Sequence, residues 1–324
     1  MILKQSGFSF ARGGHALALG WLGLVVALAV LAPLLPLPYP PAQPDLAHLA
    51  VPPLTAGTAH WLGTDPLGRD VLAELIFGAR TAVGLSVTAA ALAAALGALL
   101  GGAAGFWRNN GLQLPWPVGA GLLGLGWWAL ALPWAGAGLA AAGAGLVGGL
   151  LGPGRRGPRL PLPLDAVVLG TTALLGAVPR LVLVVALAST LALSPAGLLA
   201  LLVLTAWPGP ARLVRAEMLR VKAQPFVAAA RALGLPEGRV WWRQALPHAC
   251  RPLRTAFPLS LAGLLALEST LSFLGVGLPP EVPSWGRLLG SARLEPAAWW
   301  LVAGPGGALL LTILALQYLA RARR

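Results

Sequence analysis

Charged residues are scarce in this sequence. They make up 10% of the 324 residues, whereas about 25% is usual for a soluble protein. Apolar residues make up 57%, so the chain cannot form a surface that faces water everywhere. This composition excludes a soluble enzyme, a nucleic-acid-binding module and a disordered chain, and it predicts an all-α polytopic membrane protein.

The sequence also has few of the residues from which active sites are built. Its one cysteine, Cys250, excludes an internal disulfide and a cysteine-based metal cage. There is no glycine-rich nucleotide-binding loop with its lysine, no serine nucleophile motif and no His-Glu-x-x-His pair. The histidines are scattered along the chain: His15, His48, His60 and His248. We therefore expect no catalytic residue, no cofactor and no metal site.

Apolar blocks long enough to span a membrane alternate with more polar segments, since a spanning helix needs about 20 apolar residues. The first block follows two basic residues, which is also typical of a cleaved signal peptide. Its length favours a span that is retained in the mature protein. The blocks divide the chain into an N-terminal tail and first span (1–36), a polar segment (37–80), a second span (81–107), a tryptophan- and glycine-rich apolar stretch (108–160), further spans (161–211), a basic segment (212–254), and two last spans with a basic tail (255–324).

The basic residues predict the orientation. If the stretch 108–160 crosses the membrane twice, 18 of the 23 lysines and arginines lie on the cytoplasmic side, together with both termini. A single crossing would place the cluster at 155–159 and the segment 212–254 outside, against the positive-inside rule. A hairpin lying in the membrane interface would leave the same orientation. The charges therefore favour eight spans, with 37–80 outside the cell and 212–254 inside.

The basic segment contains a predicted short helix. Pro225 suits the first helical position and Gly234 suits the position just after the end. Four apolar residues recur at helical spacing and form one face: Phe226, Ala229, Ala230 and Leu233. Two interpretations are open from these residues alone. The face either fits a groove in another protein or lies on the membrane surface.

This segment resembles the EAA loop of bacterial ATP-binding-cassette importer permeases. The matching residues are Ala229, Ala230, Gly234, Leu246 and Pro247. Ala228 stands where the loop has its glutamate, and Gln244 stands where it has isoleucine. These departures weaken a role for a coupling carboxylate more than they weaken docking.

Three further stretches are similar to the C-type subunit of the dipeptide/oligopeptide/nickel permease family: 63–80, 267–280 and 283–293. All four stretches occur in the order of that family and, with the spans between them, cover nearly the whole chain. The resemblance implies a type I importer permease fold with six core spans. The stretch 108–160 is then an inserted hairpin, which gives eight spans in total.

The resemblance also implies the function and the partners. The chain would be a permease subunit of an ATP-driven, binding-protein-dependent importer for dipeptides or oligopeptides in a bacterial inner membrane. Its partners would be two ATPase subunits, a second, B-type permease subunit and an extracytoplasmic substrate-binding protein, with no nucleic acid. The chain itself would not be an enzyme. The implied ATPase-coupling residues are Phe226, Ala229, Ala230, Leu233, Gly234, Leu246 and Pro247.

Two charges inside predicted spans, Arg180 and Glu268, are too costly to face lipid. They either line a translocation path or form a polar contact between helices, for which they are candidate partners of each other. Outside the spans, Asp65, Arg69 and Asp70 are candidates for contact with the binding protein. Alternatively, Asp65 and Asp70 cap the helix that carries Arg69–Arg80, and capping is the preferred interpretation for Asp65, which precedes Pro66. The alternative interpretations of the whole chain are a polytopic membrane enzyme, a lipid-handling protein or a homo-oligomeric channel, none of which requires ATPase partners.

Overall fold

The computed structural model describes residues 6–109, 113–115, 159–161, 163–190 and 194–322. Most of these residues are helical. The longer helices are α1 (Ser6–Leu31), α2 (Val71–Trp107), α3 (Leu164–Ala177), α4 (Arg180–Thr190), α5 (Pro195–Ala206), α6 (Pro208–Lys222), α7 (Pro225–Ala232), α10 (Leu253–Phe273) and α12 (Trp300–Ala322). The short helices are α8 (Glu237–Arg239), α9 (Leu246–Ala249) and α11 (Trp285–Ser291), with a 3₁₀ turn at Ala32–Leu34 and a π-helical turn at Val240–Ala245.

Five helical segments are long and apolar enough to cross a membrane: Gly14–Leu34, Val71–Trp107, Pro195–Lys222, Leu253–Phe273 and Trp300–Arg321. A sixth candidate consists of α3 and α4 together. The prediction of a polytopic, helical membrane protein is therefore confirmed. The two further spans expected in 108–160 fall largely outside the described residues.

The helix α2 begins earlier than the sequence predicted, at Val71 instead of at residue 81. Asp70 caps it, because Oδ2 of Asp70 accepts the backbone N–H of Ala73 at 2.8 Å. The expectation for Asp65 was wrong, since its carboxylate accepts the N–H groups of Leu67 and Arg69 in the preceding turn instead. Residues 71–80 were assigned to the polar segment because their charged side chains lower the hydropathy, although the helix runs on through them.

The block at 165–190 was expected to be one span, and in the structure this candidate span is bent. It forms α3 and α4, which are bent by 82° relative to each other. Pro179 lies at the break. Proline has no N–H to donate and disfavours helical backbone at the residue before it, here Val178. Arg180 is consequently the first residue of α4 and not part of a continuous helix interior.

The boundary between the spans and the basic segment was expected at residue 212, but the structure places the end of the span later. The helices α5 and α6 together form one candidate span that continues to Lys222. Trp207 between them keeps helical dihedral angles, and its N–H bonds to the carbonyl oxygen of Val203 at 3.2 Å. About the first quarter of the basic segment, residues 212–222, is therefore a helical extension of a span.

Two short strands flank the apolar insertion. Strand β1 (Gln113–Pro115) pairs antiparallel with β2 (Arg159–Pro161), with Leu114 opposite Leu160. The two ends of the stretch 116–158 consequently lie next to each other.

The chain divides into two compact units. Unit 1 comprises residues 1–97, 175–211 and 250–324, and unit 2 comprises 98–174 and 212–249. In unit 1, a core cluster is formed by residues of several helices, among them Val184, Leu198, Leu202, Leu264 and Leu271. In unit 2, Gly102 faces the side chain of Leu246, and Gly105 faces that of Met218. A Cβ at either glycine would come within 2.8 Å of its neighbour, and at Gly105 it would also lie 2.9 Å from the backbone oxygen of Arg215, so Gly105 requires glycine for close packing.

Candidate functional site

The helix α7 has the bounds that its sequence predicts. Pro225 is its first residue, and the chain leaves it through Gly234, whose φ is +74°. The N–H of Gly234 bonds to the carbonyl oxygen of Arg231 at 2.9 Å, and that of Leu235 bonds to Ala230 at 3.3 Å. These two bonds form a Schellman motif, which requires a left-handed residue after the helix. The helix is therefore stopped at a defined position.

The side chains of α7 divide into a buried and an exposed set. Val227 and Ala230 are buried, at 0% and 6% exposure, and attach the helix to unit 2. Phe226 and Leu233 are exposed, at 38% and 81%, and Ala229 is exposed between them. We call Phe226, Ala229 and Leu233 the α7 surface.

Two of the predicted coupling residues do not lie on that surface. Ala230 and Leu246 are both buried, at 6% and 8% exposure, so neither presents a face to a partner. The helical spacing placed Ala230 next to Phe226 correctly, but it could not reveal which edge of the face packs inward. Pro247 is exposed and lies on α9, together with the buried Leu246.

The turn after α7 is held by charged and aromatic contacts. Arg231 donates from Nε and Nη2 to the two carboxylate oxygens of Glu237, at 2.7 and 3.1 Å. The ring of Phe226 lies 4.9 Å from that of His248 on α9. A two-bond arginine–carboxylate pair fixes orientation as well as distance. The α7 surface is therefore presented by a braced helix–turn–helix segment.

Further ionic contacts stabilise unit 2. Arg215 on α6 donates two hydrogen bonds to the carboxylate of Asp165 on α3, through Nε and Nη2. Lys222, at the end of α6, donates to the carbonyl oxygen of Phe106, one of the last carbonyls of α2. That carbonyl has no partner further along its helix, and a cation there also complements the helix dipole.

The three other family-like stretches interlock in unit 1. Trp285 donates from Nε1 to the carbonyl oxygen of Leu75 at 2.8 Å, and Trp300 donates to that of Thr64 at 3.1 Å. Gly286 packs so closely that a Cβ there would lie 2.0 Å from the carbonyl oxygen of Ser269. The three stretches, although far apart in sequence, thus pack directly against one another.

Arg287 organises the loop between α10 and α11. Its two terminal nitrogens donate to carbonyl oxygens of the four residues Leu278, Pro279, Pro280 and Val282, at 2.5–2.9 Å. Three of the residues in this loop are prolines (Pro279, Pro280 and Pro283), which offer a carbonyl but no N–H. One arginine side chain thus ties together four backbone carbonyl groups of the loop.

Glu268 is fully buried on α10 and, among the residues that the structure describes, accepts hydrogen bonds from three serine hydroxyls. Ser272 and Ser284 donate to Oε1 at 2.9 and 3.0 Å, and Ser269 donates to Oε2 at 3.3 Å. Arg180 instead reaches the carbonyl oxygen of Gly263 at 3.5 Å. Within the described part of the chain, no ion pair joins Arg180 and Glu268.

Two histidines that are distant in sequence lie together in the segment before α2. The ligand atoms of Asp45, His48 and His60 lie within 4.8 Å of one another. The hydrogen bond from His48 keeps the pKa of the Asp45 carboxyl below its usual value. The expectation that all four histidines are scattered was therefore wrong for this pair, because an irregular segment brought them together.

Comparison with known proteins identifies the family. Residues 144–323, more than half of the chain, match the model of the binding-protein-dependent transport system inner membrane component. The chain belongs to this family. It is a transmembrane permease subunit and not an enzyme, and the family implies ATPase and substrate-binding partners for it.

Individual relatives agree with this membership. The permease is 30% identical over 297 residues to a putative peptide permease protein of Brucella suis biovar 1 (strain 1330), covering 90% of this chain and 79% of the relative. It is 29% identical over 320 residues to the di/tripeptide transport system permease protein DppC of Pseudomonas aeruginosa (strain UCBPP-PA14), covering 97% and 88%. A probable peptide ABC transporter permease of Sinorhizobium fredii is 30% identical over 260 residues, covering 80% and 71%. Together with the apolar helices, these matches make the permease a multi-pass inner-membrane protein.

Proposed function

We propose that this chain is the C-type permease of an importer for dipeptides or oligopeptides and that its α7 surface receives the movement of the ATPase subunits. The substrate class rests on relatives that are named peptide permease and di/tripeptide permease. The coupling role rests on one structural observation. A short helix with a fixed end holds Phe226, Ala229 and Leu233 outward while Val227 and Ala230 attach it to unit 2.

This geometry suits the transfer of movement between subunits. An alanine between two larger apolar side chains allows close approach to a groove, where an amphipathic helix docks through such spaced anchors. ATP can shift the permease between inward- and outward-open states only by the difference in its affinity for them. Coupling requires that α7 is fixed to unit 2. If α7 moved independently of that unit, movement of the ATPase subunits would not reach the rest of the permease.

The proposed complex contains two ATPase subunits, a B-type permease subunit and an extracytoplasmic substrate-binding protein. Arg180 and Glu268 are proposed to be polar helix contacts and not a translocation path. Serine hydroxyls donate hydrogen bonds to the Glu268 carboxylate, and Arg180 donates one to a backbone carbonyl. A charge on a water-filled path would be solvated instead.

The proposed topology has eight spans with both termini in the cytoplasm. Six candidate spans are available among the described residues if α3 and α4 count as one. The antiparallel pairing of β1 with β2 supports two more in the insertion. Since its two ends meet, the insertion has to return to the side of the membrane from which it left, which requires an even number of crossings.

Cysteine labelling tests this orientation. Because Cys250 is the only cysteine, Cys250→Ala provides a background for single cysteines at the exposed positions Ala56 and Ala232. A membrane-impermeant maleimide applied to spheroplasts should label Ala56→Cys at once and Ala232→Cys only after permeabilisation. The opposite pattern would overturn the topology and the coupling role.

Two neighbouring alanines on α7 test the coupling. Ala229→Glu places a charge in the middle of the α7 surface, where burial without a partner should cost about 2 kcal/mol or more of binding free energy, or roughly thirtyfold in affinity. Ala228→Glu is the matched control. It adds the same charge at an exposed position about 100° further round the helix, and it introduces the residue that the EAA loop usually has there.

The readout is co-purification of the ATPase subunits and substrate-stimulated ATP hydrolysis in reconstituted complexes. We expect loss of both in Ala229→Glu and retention in Ala228→Glu. Full coupled hydrolysis in Ala229→Glu would contradict the proposal, as would equal loss in the two variants. Ala230→Glu is unsuitable because that side chain is buried and its failure would reflect folding.

A further inference from the structure

We propose that the segment before α2 contains a binding site for a divalent transition-metal ion, with Asp45, His48 and His60 as ligands and Zn²⁺ as the best-fitting ion. This inference is independent of the substrate and of the coupling role of α7. It rests on the geometry of five side chains in unit 1.

The distances suit a tetrahedral ion. Oδ2 of Asp45 lies 2.9 Å from Nδ1 of His48 and 3.5 Å from Nε2 of His60. Zinc bound to nitrogen and oxygen at 2.0–2.2 Å places neighbouring ligands about 3.3–3.5 Å apart. The separation between Asp45 and His60 already matches this value, and the ligand atoms of all three residues lie within 4.8 Å of one another.

His60 is held in the orientation that a ligand needs. It is 1% exposed, and its Nδ1 lies 2.9 Å from Oδ1 of Asp70. The other oxygen of Asp70 caps α2 by accepting the N–H of Ala73. A carboxylate only accepts hydrogen bonds, so Nδ1 of His60 carries the proton. This arrangement of carboxylate, histidine and metal is the usual outer shell of a zinc site.

The ring of His60 is also fixed in its plane. Tyr39 stacks on it, with ring centroids 3.9 Å apart and an angle of 17° between the planes. With Nδ1 committed to Asp70, Nε2 faces Oδ2 of Asp45 at a distance longer than an ordinary hydrogen bond. A cation bound between these atoms and His48 would satisfy both. A proton on Nε2 is the competing occupant, and the experiment has to separate the two.

The other two ligands are accessible to an ion from solvent. The side chains of Asp45 and His48 are 28% and 38% exposed. Three protein ligands with one open side leave a fourth position for water or for a group of another molecule, as in sites that exchange their ligand. Two imidazoles and one carboxylate favour zinc, copper or nickel over magnesium or calcium.

A metal here would tie together a segment with little regular structure. The ligands come from three places in a stretch that contains isolated bridges, such as the one between Pro44 and Arg69, but no helix between Leu35 and Asp70. Cross-linking distant positions of such a segment restricts its alternative conformations. Metal binding should consequently protect it from proteolysis.

The test uses the full-length permease, purified with a tag that contains no histidine and stripped of metal with a chelator. Zinc is then titrated in competition with a chromophoric chelator. We expect one Zn²⁺ per chain, a tetrahedral visible spectrum when Co²⁺ replaces zinc, and no competition from excess Mg²⁺ or Ca²⁺. His48→Ala and Asp45→Asn should each weaken binding by at least a hundredfold. Asp70→Asn should weaken it about 10- to 100-fold, as outer-shell changes do.

His15→Ala and His248→Ala are matched controls, because neither histidine belongs to the cluster, and both should leave zinc binding unchanged. If the variants fail to fold, chemical modification of histidine in the wild-type protein provides the test instead. Diethyl pyrocarbonate should react with the exposed His48, and one equivalent of zinc should suppress this reaction. Absence of stoichiometric binding to the wild type would overturn the proposal. So would unchanged affinity in both His48→Ala and Asp45→Asn, or full reactivity of His48 in the presence of zinc.

Discussion

The indole nitrogen of Trp285 donates to the carbonyl oxygen of Leu75 at 2.8 Å, although 210 positions separate the two residues in sequence. The same indole packs against Gly78, where a Cβ would lie 2.7 Å from Cδ1 of the ring. The beginning of α2 and the short helix α11 are thus joined by a hydrogen bond and by close packing.

Gly286, next to this tryptophan, should tolerate no side chain. Gly286→Ala would place its Cβ 2.0 Å from the carbonyl oxygen of Ser269. Because backbone cannot move aside cheaply, we expect a loss of about 3 kcal/mol or more and a clear fall in the apparent Tm in detergent. Gly304→Ala is the control, since no atom lies near its Cβ position in α12. It should be neutral or stabilising. Similar Tm values for the two variants would contradict the packing.

Arg180 and Glu268 should behave as independent residues. Their hydrogen-bond partners differ, a carbonyl oxygen for one and serine hydroxyls for the other. The free energies of unfolding lost in Arg180→Ala and Glu268→Ala should therefore add in the double variant to within about 0.5 kcal/mol. A double variant that is no less stable than the worse single variant would instead indicate a direct ion pair.

Arg215 should not be replaceable by lysine. Its guanidinium donates two bonds to the carboxylate of Asp165, which a single ammonium cannot reproduce. We expect Arg215→Lys to lower the stability of unit 2 by about 1–2 kcal/mol and Arg215→Ala by about 3 kcal/mol or more, because the latter leaves a mostly buried carboxylate alone. Arg220→Lys is the control, since Arg220 is 69% exposed. Limited proteolysis of the segment 223–236, which contains α7, with increasing denaturant measures the difference.

Gly234 should be required for its backbone conformation. Gly234→Ala meets no neighbouring atom, but φ is +74°, which costs an L-residue about 1 kcal/mol or more. Gly238→Ala also enters open space, at ordinary φ, and should be neutral or slightly stabilising. Hydrogen exchange at Gly234 and Leu235 should accelerate in the first variant only. Equal exchange in both would show that the Schellman motif does not hold the end of α7.

The sequence predicted helix ends best where a single residue type determines the backbone. Pro225 and Gly234 defined the ends of α7 correctly. Proline restricts φ and glycine allows a positive φ, and neither effect depends on the rest of the fold. Hydropathy was less successful at the start of α2. The charges of Glu74 and Arg80 suggested a polar segment, whereas Glu74 is buried and pairs with the N–H of Ala42.

Features that depend on distant residues could not be predicted. The inward position of Ala230 follows from how α7 rests on its unit and not from its own periodicity. The meeting of His48 with His60 follows from an irregular path without a repeating pattern. The break at Pro179 was predictable in principle from the proline, but the apolar residues on both sides favoured one continuous span.

The pairing of Leu114 with Leu160 has a consequence for how this permease can be altered. Because the strands already stand side by side, a tight turn joining Pro115 to Arg159 would replace the whole intervening stretch without moving either neighbouring helix. The same junction could accept a foreign domain whose own ends are close together. The contribution of the stretch between the two strands to transport can therefore be measured separately, by deleting it at this junction.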